Sequence, residues 1–423
     1  MGQVETKKNA EALSMIKFQT LLLLFCLQFG ALFSKSRTVE SSSVRNLQSV
    51  FDEAESGDTL LLKGLFKVSL LKVNKPLFII GKDAEFVSKD GDEILVIASD
   101  SVLVKNIVFK DVEASFLKDR AAIRLLEVQQ VQVDNNQFIN TFFGVYVQNS
   151  SNCIISNNTL QGKAGDEVHA GNAIHIWKAE RIEVINNVAE GHRDGIYFEF
   201  VNQSFISGNI SKNNMRYGLH FMFSNYDIYE NNQFENNGSG VAVMFSKHIR
   251  MLNNTFKENW GGASYGILLK EISDGVMKHN RFELNTVGVY AEGANRIQID
   301  SNVFVRNGKA LDIKGNCMDN KILNNNFLGN TFEVLTNSKG NLNFFEGNYW
   351  GQYSGYDLNK DGVGDVPHRP VNLFALITDK IPAASMLLHS PLVHGLDMAE
   401  RIFPQLIPEQ LIDKKPQMKP LNL

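Results

Sequence analysis

Three blocks decide the fold: Gly195-Ile196-Tyr197-Phe198-Glu199-Phe200 with Gly208-Asn209, Gly218-Leu219-His220-Phe221-Met222-Phe223 with Asn231-Asn232, and Gly240-Val241-Ala242-Val243-Met244-Phe245 with Asn253-Asn254. In each, a glycine opens a short alternating strand. A turn and a second short strand follow, and an asparagine pair or its equivalent closes the block. The opening glycines stand 23 and 22 residues apart (218−195, 240−218). A fixed step of that size marks a solenoid, whose units stack to bury a common core.

Working outward, the second closing asparagine falls at 136, 158, 187, 209, 232, 254, 280, 302, 325 and 348. The step departs from 22 or 23 twice: 29 residues where Gln161 to His169 are inserted, and 26 where Trp260-Gly261-Gly262-Ala263 are inserted. Inserts in a solenoid become loops, often on a binding face. Asparagine tolerates the left-handed turn conformation, and stacked asparagines hydrogen-bond along the axis. Two residues further on a phenylalanine recurs (138, 234, 256, 282, 304, 327), which reads as an internal stack. In Ile196 to Phe200, alternation points 196, 198 and 200 inward, 197 and 199 outward. The expected fold is all-β, a right-handed parallel β-helix of about a dozen 22-residue coils spanning 37–350. Leucine-rich repeats need a leucine spacing that is absent.

Residues 46 to 57 carry Leu47, Val50, Phe51 and Ala54 at helical spacing, predicting a short helix that covers the open end. Residues 1–36 read as a secretory signal: Lys7, Lys8 and Lys17 precede the apolar run Leu21 to Leu27, and Ser34 and Ser36 follow. Met15 is an alternative start, and a retained membrane anchor is the alternative reading. The apolar run is shorter than the roughly 20 residues a span needs. Cys26 lacks the small residues a lipidation site wants before it. Cys153 and Cys317 would lie about seven coils, near 34 Å, apart at roughly 4.8 Å per coil, too far for a disulfide. They are expected to pack as free thiols.

The 423 residues carry a net charge of −4, a balance that leaves no nucleic-acid footprint. Residues 351–370 form an Asp/Gly-rich loop. Asp357, Asn359 and Asp361, the carbonyl of Val363 and Asp365 match the first nine positions of a calcium loop. His368 stands where an EF-hand has its closing glutamate, so a solvated turn is the alternative. Residues 371–423 are apolar with six prolines. They suggest short helices within 383–388 and 396–403, and either pack along the solenoid or meet a partner.

The outward positions of the repeated strands form two rows, Tyr146, His175, Tyr197, His220, Ala242 and Gln148, Trp177, Glu199, Met222, Met244, Lys270. His175, His220, Met222 and Met244 fall in one neighbourhood, and imidazole with thioether suits copper, Cu(I) in particular. Trp177, Tyr197 and Glu199 among them are candidates for contacting a partner. An ordinary exposed face is the bland alternative. His192-Arg193-Asp194 reads as a corner salt bridge. A polysaccharide lyase or uronate epimerase would need acid/base residues converging in a groove. Asp194, Glu199, Glu271, Asp274 and Glu292 are coil-registered without forming an evident Asp/His/Arg cluster.

Gly191 to Phe200, Arg216 to Ser224, Gly240 to Met244, Tyr265 to Asp274, Asn326 to Phe332, Gly347-Asn348-Tyr349-Trp350, Gly355 to Arg369 and Ser390-Pro391 together resemble the NosD family of nitrous oxide reductase maturation proteins. The resemblance covers essentially the whole mature chain. It implies a non-enzyme in the periplasm, working with an ABC-type ATPase and permease and a copper chaperone lipoprotein to assemble the copper centres of nitrous oxide reductase. It further implies that the apolar tail docks to the permease, which would associate the protein with the membrane. It assigns no metal ligands.

Overall fold

The computed structural model describes residues 35–115, 117–163, 165–337, 342–388, 390–402 and 411–423. The chain winds as a parallel β-solenoid. One face is a twelve-stranded parallel sheet, and the other two faces form a 24-stranded array. The predicted signal segment lies outside the described residues except for Lys35 and Ser36. Ser36 already begins the strand Ser36–Glu40, which pairs in parallel with Thr59–Val68.

Each coil has three strands where the block pattern suggested two. After Ile196–Asn202 and Phe205–Ser207 comes Ile210–Lys212, and the next coil repeats this as Tyr217–Met222, Ile228–Glu230 and Gln233–Glu235. The third strand, three residues long, is too short to show a period of its own.

The closing asparagine pair divides its labour. The first member takes the left-handed turn (Asn186, Asn231 and Asn253, φ 53–57°). The second is buried and joins a ladder along the axis. Asn254 Oδ1 accepts from both the backbone and side-chain nitrogens of Asn232 at 3.0 Å, while its own Nδ2 donates to the Tyr229 carbonyl at 3.0 Å. The ladder runs unbroken from Asn136 to Asn348, through both long steps. A second ladder, Asn214, Asn237, Asn259, Asn285, Asn307 and Asn330, lines the corner that leads into the twelve-stranded sheet.

Phe234, Phe256, Phe282, Phe304, Phe327 and Trp350 stack at centroid distances of 4.3–5.4 Å. Between Phe138 and Phe234 the row holds Leu160, Ala189 and Ser211 instead. Phe198, Phe221 and Tyr229 are buried from the other faces, and their rings fill what these small residues leave, as close packing demands.

Phe200 does not point inward as alternation predicted. Its φ is +54°, and it stacks outside the solenoid on Phe223, which stacks on Phe245 in the same conformation. The coil turns at this residue, and a left-handed residue breaks the period of two. Val201 takes the inward place.

The helix Leu47–Glu53 is capped by Asn46 and buries Leu47, Val50 and Phe51, as expected. Cys153 and Cys317 are buried free thiols. At the other end lie helices Leu373–Lys380 and Pro391–Ile402 with a 3₁₀ turn Pro382–Leu387 between them. The first helix and the 3₁₀ form of the second element were not foreseen. Phe374 and Ala375 pack on Phe332 and Leu335, whereas Ile381, Met386, Leu392 and Met398 stay exposed. The tail therefore both packs on the solenoid and leaves apolar side chains exposed. Among the described residues no helix is long and apolar enough to cross a membrane.

Candidate functional site

The twelve-stranded sheet sets its outward residues in register. One row runs Arg124, Tyr146, His175, Tyr197, His220, Ala242, and beside it run Gln148, Trp177, Glu199, Met222, Met244, Lys270. Both rows are those expected from the glycine spacing.

The geometry divides the four metal candidates. Tyr197 sits between the two imidazoles, with centroids 4.8 Å from His175 and 5.0 Å from His220. Two rungs, roughly 10 Å, separate the histidines, so they cannot share one ion. Met222 and Met244 occupy adjacent rungs beside His220.

His220 is 3% exposed, and neither ring nitrogen makes a hydrogen bond. Its Nδ1 lies 3.6 Å from Oδ2 of Asp194, itself fully buried. Asp194 Oδ1 accepts from the Tyr217 amide at 3.2 Å and lies 3.7 Å from Arg216 Nε. Arg216 is also 3.6 Å from Glu167 of the first inserted loop. Asp194 is thus a corner ion-pair residue, as the sequence suggested, but it also reaches into the histidine row. Its burial against His220 was not legible, because 26 residues and a full coil separate them.

Unpartnered buried atoms gather here: Asn172 Oδ1, His192 Nε2, Arg193 Nε, Asp194 Oδ2 and both His220 nitrogens. Proteins satisfy nearly all buried polar groups, so these atoms are the ones here with hydrogen-bonding capacity left over. Burial holds His192 at a pKa of about 4. Burial, then the Arg193 cation, lowers His175 to about 3, so both imidazoles are neutral donors. His175 Nδ1 is 3.0 Å from the Asn172 amide. Burial and the neighbouring Glu199 carboxylate push the Tyr197 phenol far up. It keeps its proton and donates to Met222 Sδ at 3.6 Å.

Trp177, Glu199 and His175 line one side of a groove of about 620 Å³ that continues past Tyr146 to Arg124. Arg124 stacks 4.6 Å over Tyr146 and donates to Glu93 at 2.6 Å. The two inserted loops leave the same corner of the solenoid, four coils apart with three regular coils between them, and the Asp194–His220 pair lies in that interval.

Among the described residues no group of three or more His, Cys, Asp or Glu is placed to hold a metal. Thioethers on adjacent rungs beside an unpartnered imidazole nevertheless fit a soft monovalent ion. The Asp/Gly loop presents the oxygen chemistry of a hard cation. Its side chains are turned to the loop's own amides: Asp357 to Gly362 at 2.9 Å, Asn359 to Asp361 at 3.1 Å, Asp361 to Val363 at 2.8 Å and Asp365 to Leu358 at 2.7 Å.

The defining pattern of the family described as "Periplasmic copper-binding protein (NosD)" matches residues 70–169 and 161–355, well over half of the chain. The chain belongs to the NosD family. A NosD relative from Stutzerimonas stutzeri, named a probable ABC transporter binding protein, is 26% identical over 349 residues, covering 78% of this chain and 79% of its own. The NosD of Pseudomonas aeruginosa, named in the same words, is 27% identical over 189 residues, 40% of this chain and 44% of its own. Solved structures share the fold at low identity. The A-module of the Azotobacter vinelandii mannuronan C-5 epimerase AlgE4 has a TM-score of 0.54 at 12% identity over 73% of this chain and 96% of that one. The Streptococcus pneumoniae surface adhesin PfbA has 0.55 at 10% over 77% and 94%. An epimerase and an adhesin on one solenoid show that the NosD architecture does not itself select an activity.

Proposed function

We propose that this NosD-family chain is a periplasmic accessory protein for maturation of nitrous oxide reductase, and that it handles Cu(I) as cargo on the outward face of its twelve-stranded sheet. An ABC ATPase and permease and a copper chaperone lipoprotein are its partners in this reading. The observation that carries it is the pair Met222 and Met244 on adjacent rungs beside the buried, unpartnered His220. The family description and the relatives' names support the setting. Trp177 and Glu199, on the groove beside these donors, are the surface a delivering or receiving partner would contact. The exposed apolar side chains of the tail, Ile381, Met386, Leu392 and Met398, would serve docking to the permease.

The test uses the isolated protein and a chromophoric Cu(I) chelator as competitor. Met222→Ala with Met244→Ala is expected to weaken Cu(I) binding at least tenfold, and nitrous oxide reductase produced in cells lacking this chain is expected to be short of copper. Fully loaded, active reductase from such cells would sink the reading.

The groove favours a second reading, in which fixed polar groups and aromatic rings at Arg124, Tyr146 and Trp177 act on a uronate polysaccharide. Turnover of alginate or pectin would establish it. The first reading expects none.

A further inference from the structure

Of the donors proposed above His220 is buried while Met222 and Met244 are half-buried, and one side chain, Tyr197, touches both His220 and Met222. Tyr197 meets His220 edge to face, and Tyr217 lies 4.7 Å from the same imidazole. The hydroxyl of the same tyrosine donates to Met222 Sδ. A thioether is a weak acceptor, and the Glu199 carboxylate is a second hydrogen-bond partner of the same phenol. Met244 has Ala242 two residues before it in its strand, where Met222 has His220, so the rung beyond the histidine is left small.

Asp194 complements this arrangement. Its Oδ2 has no hydrogen-bond partner and faces His220 Nδ1. A carboxylate on one imidazole nitrogen fixes the tautomer and leaves the lone pair on the other, as in the shells behind metal-binding histidines. Arg216 lies 3.7 Å from its other oxygen, which makes Asp194 part of the corner ion pair.

We infer that Tyr197 is the lid of a soft-metal site made by His220 Nε2 and the thioethers of Met222 and Met244, and that Asp194 positions the imidazole. The inference rests on the copper reading above and adds the residue that controls access. His175, beyond the Tyr197 ring, belongs to the groove and not to the donor set. An arriving Cu(I) ion has to displace the phenol from the sulfur. Until it does, the lid also shields Met222 from oxidation, the usual fate of an accessible methionine.

Tyr197→Phe keeps the ring and removes the hydroxyl. Two readouts on the full chain test it: Cu(I) affinity by chelator competition, and the rate at which dilute hydrogen peroxide converts Met222 to its sulfoxide in the copper-free protein, followed by mass spectrometry. The expected result is affinity tightened about fivefold, the equivalent of one net hydrogen bond, together with faster oxidation of Met222. Asp194→Asn is expected to weaken Cu(I) binding without changing that oxidation rate. If Met222→Ala abolishes Cu(I) binding while Tyr197→Phe matches wild type in both readouts, the lid is overturned and the copper reading stands. If neither wild type nor Tyr197→Phe takes up Cu(I), the site and the copper reading fall together, whatever the oxidation rate.

Discussion

Asn254 shows how much one side chain can carry in this molecule. It is 1% exposed, satisfies two nitrogens of the coil before, and is satisfied by the coil after. Asn254→Ala strands those partners in a dry interior, at about 1–3 kcal/mol per unmade bond. A loss of about 3 kcal/mol or more in urea unfolding is expected, with little change for the exposed Asn236→Ala. His192 sets a pH dependence. Its folded pKa of about 4 lies below the ordinary histidine value near 6.5. Between those values the unfolded chain holds a proton that the folded chain does not. Stability is therefore full above about pH 6.5 and falls as the pH drops toward 4, by about 1.4 kcal/mol per pH unit for this residue. His192→Gln is expected to flatten that slope between pH 6.5 and 4 in urea titrations.

At the scale of elements, the C-terminal segment decides how the solenoid ends. An open asparagine ladder would leave Asn348 without a successor. Asp413 takes that place: its carboxylate accepts from the Asn348 amide at 3.0 Å, Asn348 Nδ2 at 2.9 Å and Trp350 Nε1 at 3.0 Å. Backbone bonds tie the same residue to His368, and Gly364 and Gly362 to Pro416 and Met418. The Asp/Gly loop and the last residues of the chain thus form one plug, with the helices Leu373–Lys380 and Pro391–Ile402 emerging between its two halves. Asp413→Ala is expected to cost about 3–5 kcal/mol, since it empties the acceptor position for several buried donors. Proteolysis should then begin in the plug while the middle coils resist. If the loop holds structural calcium, EDTA will lower the melting temperature of the plug. An unchanged melting curve would show that the amide bonds to Asp357 and Asp361 suffice.

On the scale of the whole molecule, the solenoid is a ruler. Parallel pairing without register shift through the middle coils turns a 22-residue step in the chain into a fixed rise along one face. That is why Met222 and Met244 could be placed side by side from their numbers alone. The same regularity makes the two inserted loops informative, because both leave one corner and bracket three undisturbed coils that hold Asp194, His220 and Met244.

The sequence by itself determined the coil step, the outward rows, the capping helix and the buried asparagine ladder, because each follows from a period repeated along the chain. Tertiary structure alone decided the rest. The third strand of each coil is too short to announce itself, and Phe200 left the core because the turn needed a left-handed residue there. The second asparagine ladder emerged only at its corner of the folded chain. Asp194 against His220, the Tyr197 hydroxyl on Met222 and Asp413 on Asn348 join residues whose separation along the chain matches no strand or helix period. Such contacts depend on side chains meeting across coils and ends, and local pattern carries no record of them.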